Sequence, residues 1–321
     1  MPGISALRAW WAGRSPVAGS AVMATGIVSV GLRSAGAETL SLVVLAVACG
    51  AWVVLAAGFV LRLVGERSRW LAEARGPGAL TAVAATTVLG TALSLAGGQT
   101  AAGVLLALAA LLWPGLLVLA VRHAGALMPG SVFLCCVATQ GLAVLGATLA
   151  AAVQTAWLAH TALVLFWLGL LLYGFALTRF DRRQVLEGPG DHWVAGGALA
   201  ISALAGSKLL AAADGSMYLW DADDRGVLRL VTSALLVLSL AGYVLLLAAE
   251  AFRPRPGYDF RRWSTVFPMG MTAAATLSAA AVLPVPWLRV PGEVLVWVAV
   301  AAWLVVAAGA VRAVRAGENA G

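Results

Sequence analysis

The chain has 321 residues, of which 62% are hydrophobic and only 11% are charged, and its net charge is +7 at pH 7. Soluble domains are roughly half apolar and a quarter charged, so this composition excludes a soluble enzyme or binding domain and indicates an integral membrane protein. The surplus of positive charge does not indicate nucleic-acid binding, because the basic residues sort by membrane side.

Apolar runs long enough to cross a bilayer recur along the whole chain. A bilayer core of about 30 Å needs roughly 20 apolar residues in a helix. Breaking the chain at charge clusters and at Pro and Gly turns predicts a single transmembrane domain, residues 1–321, with ten spans. In chain order the predicted spans are 16–33, 40–64, 78–97, 101–121, 130–153, 156–178, 193–213, 227–249, 263–283 and 293–311. The first run resembles a signal peptide, but its Gly, Ser and Thr content and the many spans that follow favour a first transmembrane helix.

The basic residues predict the topology of these spans. Sixteen of the 21 fall on one side of the predicted membrane: Arg8, Arg14, Arg62, Arg67, Arg69, Arg75, Arg122, Arg179, Arg182, Arg183, Arg253, Arg255, Arg261, Arg262, Arg312 and Arg315. The other side has five: Arg33, Lys208, Arg225, Arg229 and Arg289. By the positive-inside rule the richer side is cytoplasmic, so both termini are expected in the cytoplasm.

Small residues alternate between spans. Gly, Ser and Thr make up roughly a third of the odd-numbered spans and roughly an eighth of the even-numbered ones, where Leu, Val and Trp take over. Small residues let helix backbones approach closely, whereas lipid accepts bulky aliphatic side chains. The odd helices are therefore expected to face inward and the even helices outward.

The short links between spans 3 and 4 and between spans 5 and 6 carry no basic residue, so each of these pairs is predicted to form a helical hairpin. Five hairpins that all start on the same side are parallel repeats, related by an axis along the membrane normal. The predicted fold is all-α, with an inner ring of five odd helices inside an outer ring of five. A hole on the axis of this ring is one expectation; a solid bundle packed through its small residues is the alternative.

A solute path through lipid must replace the hydrogen bonds of water. The odd spans offer neutral hydroxyls and glycines for this purpose: Thr25, Gly26, Ser29, Thr86, Thr87, Gly90, Thr91, Thr139, Ser202, Gly206, Thr272 and Thr276. All of these except Thr86 are predicted to line the pore.

Few charged or titratable residues fall within the spans, where a central charge is costly. Lys208 is a candidate cation at the pore mouth that attracts anions, or else a lysine whose ammonium reaches the headgroups. His160 and Glu250 are candidate groups for proton coupling, and His160 is alternatively an ordinary interfacial histidine. Neither a proton relay nor a catalytic cluster is visible, and the three cysteines read as small buried hydrophobes, so we expect passive permeation without a metal or cofactor.

The stretches "VMATGIVSVGL" in the first span and "WSTVFPMGM" in the ninth resemble signatures of the tellurite-resistance, C4-dicarboxylate transporter and slow-type anion channel family, within the voltage-dependent anion channel superfamily. The stretch "GDHWVAGGALAISALAG" is similar to its tellurite-resistance and dicarboxylate branch. The resemblance implies a quasi-fivefold pore of odd helices, often in a homotrimer of the cell membrane, that passes halide, nitrate or malate. It also implies that the Phe of the ninth-span motif, here Phe267, plugs the pore.

A physical interpretation of the ninth span agrees with this role. Pro268 removes a backbone donor and should kink the helix where Phe267 projects. A ring aimed at the axis would block and dewet a narrow tube, and Gly270 would leave the ring room to move. The alternative is a Phe packed between helices beside an ordinary proline kink.

The leading functional hypothesis is an anion channel or uniporter for small inorganic anions or C4-dicarboxylates. The odd spans contain no ring of basic residues, so discrimination among anions should be weak. One alternative is a proton-coupled exporter of dicarboxylate or of a tellurite-type oxyanion. Another, outside transport, is a membrane scaffold or an intramembrane enzyme.

Overall fold

The computed structural model describes residues 19–187, 190–213, 219–253 and 259–318. Ten long α-helices dominate, and this part of the chain contains no β-strand. We number the helices in chain order as α1 (Gly19–Ser34), α2 (Glu38–Gly65), α3 (Thr81–Leu95), α4 (Gln99–Arg122), α5 (Leu134–Val153), α6 (Ala156–Arg179), α7 (Trp193–Ala213), α8 (Ala222–Phe252), α9 (Trp263–Val282) and α10 (Arg289–Glu318). Short helices and turns connect them: Arg67–Ala74, Pro77–Leu80, Gly130–Phe133, Gln184–Glu187, Phe260–Arg262 and Pro286–Leu288.

Nine helices in the described ranges are long and apolar enough to cross a membrane, and they correspond to predicted spans two to ten. Their ends differ from the predicted ones by a few residues, most at α10, which extends beyond residues 293–311 at both ends. Helix α1 has only 16 residues. The start of its predicted span, residues 16–18, lies outside the described residues together with Arg8, Arg14 and Arg255, so its crossing of the membrane stays a prediction.

Each odd helix packs against the even helix that follows it. Three of these five connections close with the same backbone hydrogen bond, in which an amide reaches back five residues: Ala37 to Leu32, Gly98 to Leu93 and Thr155 to Ala150, at 2.9–3.1 Å. The residue before each donor adopts a positive φ, at Gly36, Gly97 and Gln154. This left-handed cap satisfies the last carbonyls of a helix and reverses the chain. Three of the five hairpins therefore share one form of turn.

The odd helices also contact one another in cyclic order. Helix α1 contacts α3, α3 contacts α5, α5 contacts α7, α7 contacts α9, and α9 returns to α1. Every odd helix therefore has two odd neighbours, and the five form a closed ring.

Burial separates the two kinds of helix as predicted. The apolar window of α5 is 100% buried, whereas that of α10 is 11% buried. Each even helix presents a large aliphatic side chain that is 63% to 78% exposed, namely Leu61, Leu111, Leu171, Leu245 and Val305. Such a surface is stable against acyl chains and would be costly in water. The even helices therefore form the lipid-facing layer, and the odd helices form the interior.

The odd helices approach so closely that side chains are excluded at some contacts. A Cβ atom added to Gly141 of α5 would collide with Oγ1 of Thr87 on α3. Helix association in lipid depends on packing of this kind, because lipid supplies no hydrophobic drive between helices.

Gly141→Leu is expected to lower the free energy of unfolding by about 1–3 kcal/mol, because overpacking displaces backbones. Gly174→Leu is the matched control, since Gly174 is exposed on α6 and a Cβ there meets no heavy atom within 4 Å. Thermal unfolding in detergent should show a lower midpoint for Gly141→Leu alone. Equal midpoints would contradict the close approach of α3 and α5.

Candidate functional site

Each odd helix, together with the turn that precedes it, is one unit of the ring. Two small cavities are lined by residues from all five units, and they therefore lie on the axis of the ring. The first axial cavity has a volume of about 30 Å³. Each unit contributes two residues spaced i and i+3, at the start of its odd helix or in the turn before it: Ser20 and Met23, Gly78 and Thr81, Ser131 and Leu134, Asp191 and Val194, and Ser264 and Phe267. Four of the five leading residues are polar.

The second axial cavity has a volume of about 10 Å³ and is almost wholly apolar. It is lined by Ile27, Val30, Val88, Thr91, Gly141, Val144, Ile201, Leu204 and Met271. Thr91 supplies the one hydroxyl among these residues. A cavity needs about 10–15 Å³ to hold one water molecule, so these two cavities have room for few waters. The axis is closed in this conformation.

Phe267 lies at the first axial cavity, one helical turn before Met271, the residue of α9 that lines the second. The two residues are about 6 Å apart along the helix, given a rise of about 1.5 Å per residue. The Phe267 side chain is only 1% exposed. The Phe267 side chain is thus buried at the first axial cavity, and its role as a plug stays a prediction.

Pro268 and Gly270 both lie at contacts of α9 with neighbouring odd helices. Pro268 lies inside a continuous helix. A Cβ added to Gly197 on α7 would lie only 2.9 Å from Cγ of Pro268, so the proline ring packs directly against α7. Because Pro268 has no N–H, it cannot donate to the carbonyl of Ser264, a residue of the first axial cavity. A Cβ at Gly270 would lie 2.8 Å from Cγ2 of Ile27 on α1. Gly270 therefore permits the α9–α1 contact that closes the ring.

Three threonines face the outer helices. Indole N–H groups donate to Oγ1 of Thr86 from Trp52, of Thr139 from Trp113 and of Thr25 from Trp303, at 2.9–3.0 Å. Each Trp belongs to an even helix and reaches the odd helix of the next hairpin, and the bond from Trp303 joins the last hairpin to the first. Thr25 and Thr139, which were predicted to line the pore, thus hold hairpins together.

The other predicted hydroxyls are mostly satisfied within the helix layer. Ser29 and Ser41 exchange hydrogen bonds across the α1–α2 hairpin. The remaining hydroxyls donate to a carbonyl three or four residues back on their own helix: Thr87 to Ala84, Thr91 to Thr87, Ser202 to Ala198, Thr272 to Pro268 and Thr276 to Thr272. A hydroxyl bonded in this way needs no water partner. Of this group only Thr91 lines an axial cavity.

The predicted lining glycines are packing positions as well. A Cβ at Gly26 would meet Val88 of α3, one at Gly90 would meet Leu145 of α5, and one at Gly206 would meet Thr232 of α8. None of the three lines either axial cavity. The structure therefore brings Phe267 and Thr91 together on the axis and places the other predicted lining residues between helices.

Lys208 lies one turn beyond Leu204, a residue of the second axial cavity, and is partly exposed. Residues four apart share a helix face, so its position agrees with a cation near the far mouth of the axis.

The two candidate coupling groups lie away from both cavities. His160 is exposed on α6, where its ring contacts Trp220 at a centroid distance of 5.8 Å. Glu250 accepts a hydrogen bond from Arg262 at 2.6 Å. Neither residue lines the axial cavities.

Asp191 is the carboxylate that the sequence analysis missed. It lines the first axial cavity beside Phe267, in the turn that precedes α7. Burial raises the pKa of Asp191, while nearby Arg261 lowers it and Asp259 raises it further. Asp191 is visible in the sequence "GDHW", but it lies between two predicted spans. Only the fold shows that its position is equivalent to that of the serines in the other units.

A larger cavity, of about 230 Å³, lies off the axis between α2, α3 and α4. Its lining is mainly apolar and includes Trp52, Phe59, Trp70 and Leu112, with the Arg62–Glu73 ion pair of 3.2 Å among its residues. Because it opens between helices of the lipid-facing layer, its size does not identify it as a solute path.

Comparison with known proteins gives one family. The profile of a family described as "Voltage-dependent anion channel" matches residues 15–311. A comparison with individually curated proteins gave no match.

Trp303→Phe is expected to lower the free energy of unfolding by about 0.6–1.7 kcal/mol, because the indole N–H to Thr25 is lost while the aromatic packing is largely kept. Trp297→Phe is the control on the same helix, since Trp297 is 52% exposed toward the lipid side. Unfolding titrations in mixed micelles should show a loss for Trp303→Phe only. An equal effect of the two substitutions would argue against the tryptophan bond as a link between hairpins.

Proposed function

Because the chain belongs to the voltage-dependent anion channel family, we propose that it is an anion channel or uniporter whose conduction path runs along the axis of the odd helices. The observation that supports this proposal is that all five units line both axial cavities, with Phe267 at the first and Met271, one turn further along the same helix, at the second. A path shared equally by five repeats has no other place than their common axis.

Phe267 is the gate of this path. The residues at its level are Met23, Thr81, Leu134 and Val194, so the ring closes a constriction that is mostly apolar. A bulky ring in such a constriction blocks an ion sterically and also removes the water that would hydrate it. Opening requires the ring to leave the axis, and the packed contacts of Pro268 and Gly270 make a side-chain rotation simpler than a bend of α9.

The permeants are small inorganic anions, C4-dicarboxylates such as malate, or both. Within the described part of the chain, no Lys or Arg lines either axial cavity. The attraction for anions therefore comes from Lys208 near one mouth and from the arginines of the predicted cytoplasmic side near the other. These charges attract anions toward the mouths without lining the cavities. Such a path discriminates weakly among anions of similar size.

The membrane arrangement follows from the same reasoning. Ten spans cross the cytoplasmic membrane with both termini in the cytoplasm, as the distribution of basic residues favours. Five tandem hairpins then form a quasi-fivefold unit with α1 as its first span. Assembly as a homotrimer is proposed from the family resemblance.

A second candidate function is the proton-coupled export of dicarboxylate or a tellurite-type oxyanion. Asp191 favours it, because a titratable carboxyl beside the gate is where a proton and an anion could meet. His160 and Glu250 do not line either axial cavity, so this second proposal assigns the coupling role to Asp191. An anion flux that responds to an imposed pH gradient would favour coupling over a channel.

Phe267→Ala is expected to raise chloride flux into liposomes at least tenfold at neutral pH, because the axis loses its obstruction. Phe166→Ala is the control, since Phe166 is also fully buried but lies on the even helix α6. It should lower stability without raising flux. Equal flux in wild type and Phe267→Ala, with both proteins monodisperse and similarly stable, would remove Phe267 from the gate.

A further inference from the structure

We infer that Asp191 controls access of anions to the gate: its carboxylate repels them from the first axial cavity, and its protonated form admits them. This inference rests on the proposed function, because it assigns a charge-selective step to the same path. It concerns a position outside the odd helices themselves, in the turn that leads into α7.

The backbone of Asp191 is held firmly at the rim of the axis. Its carbonyl accepts a hydrogen bond from Val194 at 3.1 Å. A Cβ at Gly130 would collide with that same carbonyl, so the turns before α5 and α7 pack directly on each other. Gly190 precedes it with a φ of +133°, a value that side chains rarely allow, and packs against the carbonyl of Arg261. These backbone contacts keep Asp191 at the rim of the first axial cavity.

Asp191 differs in charge from the residues at the equivalent position of the other four units. The equivalent residues in the other units are Ser20, Gly78, Ser131 and Ser264, which are all neutral. At a separation of about 5 Å and an effective dielectric constant of about 20, a carboxylate would reduce the local occupancy of a monovalent anion by on the order of a hundredfold. An ionised Asp191 is therefore incompatible with efficient anion conduction through a cavity of about 30 Å³.

In the part of the chain that the structure describes, two charged residues act on Asp191 in addition to its burial. Arg261 and Asp259 face it from the segment before α9, and His192 follows it on its own turn. Arg261 favours the carboxylate form and Asp259 opposes it, while burial is the largest influence and favours the protonated form. The pKa of Asp191 is raised as a result, so its protonation occurs at a higher pH than that of an ordinary carboxyl. Anion access should increase as pH falls through this raised pKa.

The test measures chloride flux in liposomes with equal pH inside and outside, on a Phe267→Ala background so that the gate does not limit the rate. The parent should conduct better as pH is lowered from 8 to about 4. Adding Asp191→Asn should raise flux at pH 7.5 at least tenfold and abolish the pH dependence. Asp223→Asn, at an exposed position in the first turn of α8, should behave like the parent.

Arg261→Gln separates an electrostatic role from a structural one. Removing the positive charge takes away the influence that lowers the pKa of Asp191, so the midpoint of the pH dependence should move to higher pH. A residue that only packed the turn would give no such shift.

The outcomes are distinct. A pH dependence that persists unchanged in Asp191→Asn overturns the inference and leaves the channel intact. A midpoint in Arg261→Gln that stays in place or moves to lower pH also overturns it. Absence of chloride flux in wild type and in Phe267→Ala at every pH overturns the proposed function, and the inference with it.

Discussion

The architecture depends on how closely the odd helices approach one another. In lipid the contact between two helices is stabilised by packing and not by the exclusion of water, so the backbones must come close. Gly141 admits Thr87 at the α3–α5 contact, and Gly270 admits Ile27 at the contact that closes the ring. A ring closed in this way has a narrow axis, with cavities of only about 30 and 10 Å³. An axis this narrow supports the proposed role of Phe267 as a gate.

The lipid environment also explains where the hydroxyl groups of the odd helices lie. A hydroxyl in the bilayer interior must find a partner within the protein, and the nearest is a carbonyl of its own helix. Trp303 and Trp113 use Thr25 and Thr139 as additional acceptors and so fasten neighbouring hairpins. The first axial cavity keeps polar residues such as Ser20, Ser131 and Ser264, whereas the second is almost wholly apolar. Among the described residues that line the two cavities, Asp191 is the one carboxylic acid, so the proposed path would bring an anion close to it.

Much of the fold could be predicted from the sequence, because hydropathy locates helices and small residues separate buried from lipid-facing ones. Nine spanning helices and the burial of odd helices agree with those patterns. The lining could not be predicted in the same way. Odd helices are buried all round, as α5 is, so no polar face marks the side toward the axis. Thr25 and Thr91 look alike in the sequence, but only Thr91 lies on the axis. Asp191 became visible only when the five units were placed in register.

The most direct test of the central claim asks whether the axis carries the anions. Ile201 lines the second axial cavity on α7, and Val244 on α8 is 65% exposed toward lipid. Ile201→Cys and Val244→Cys would be made with Phe267→Ala, with Cys49, Cys135 and Cys136 replaced by Ala. After reaction with a small anionic thiosulfonate, confirmed by mass spectrometry, chloride flux should stop in Ile201→Cys and continue in Val244→Cys. Undiminished flux through a modified Ile201→Cys protein would contradict a path along this axis.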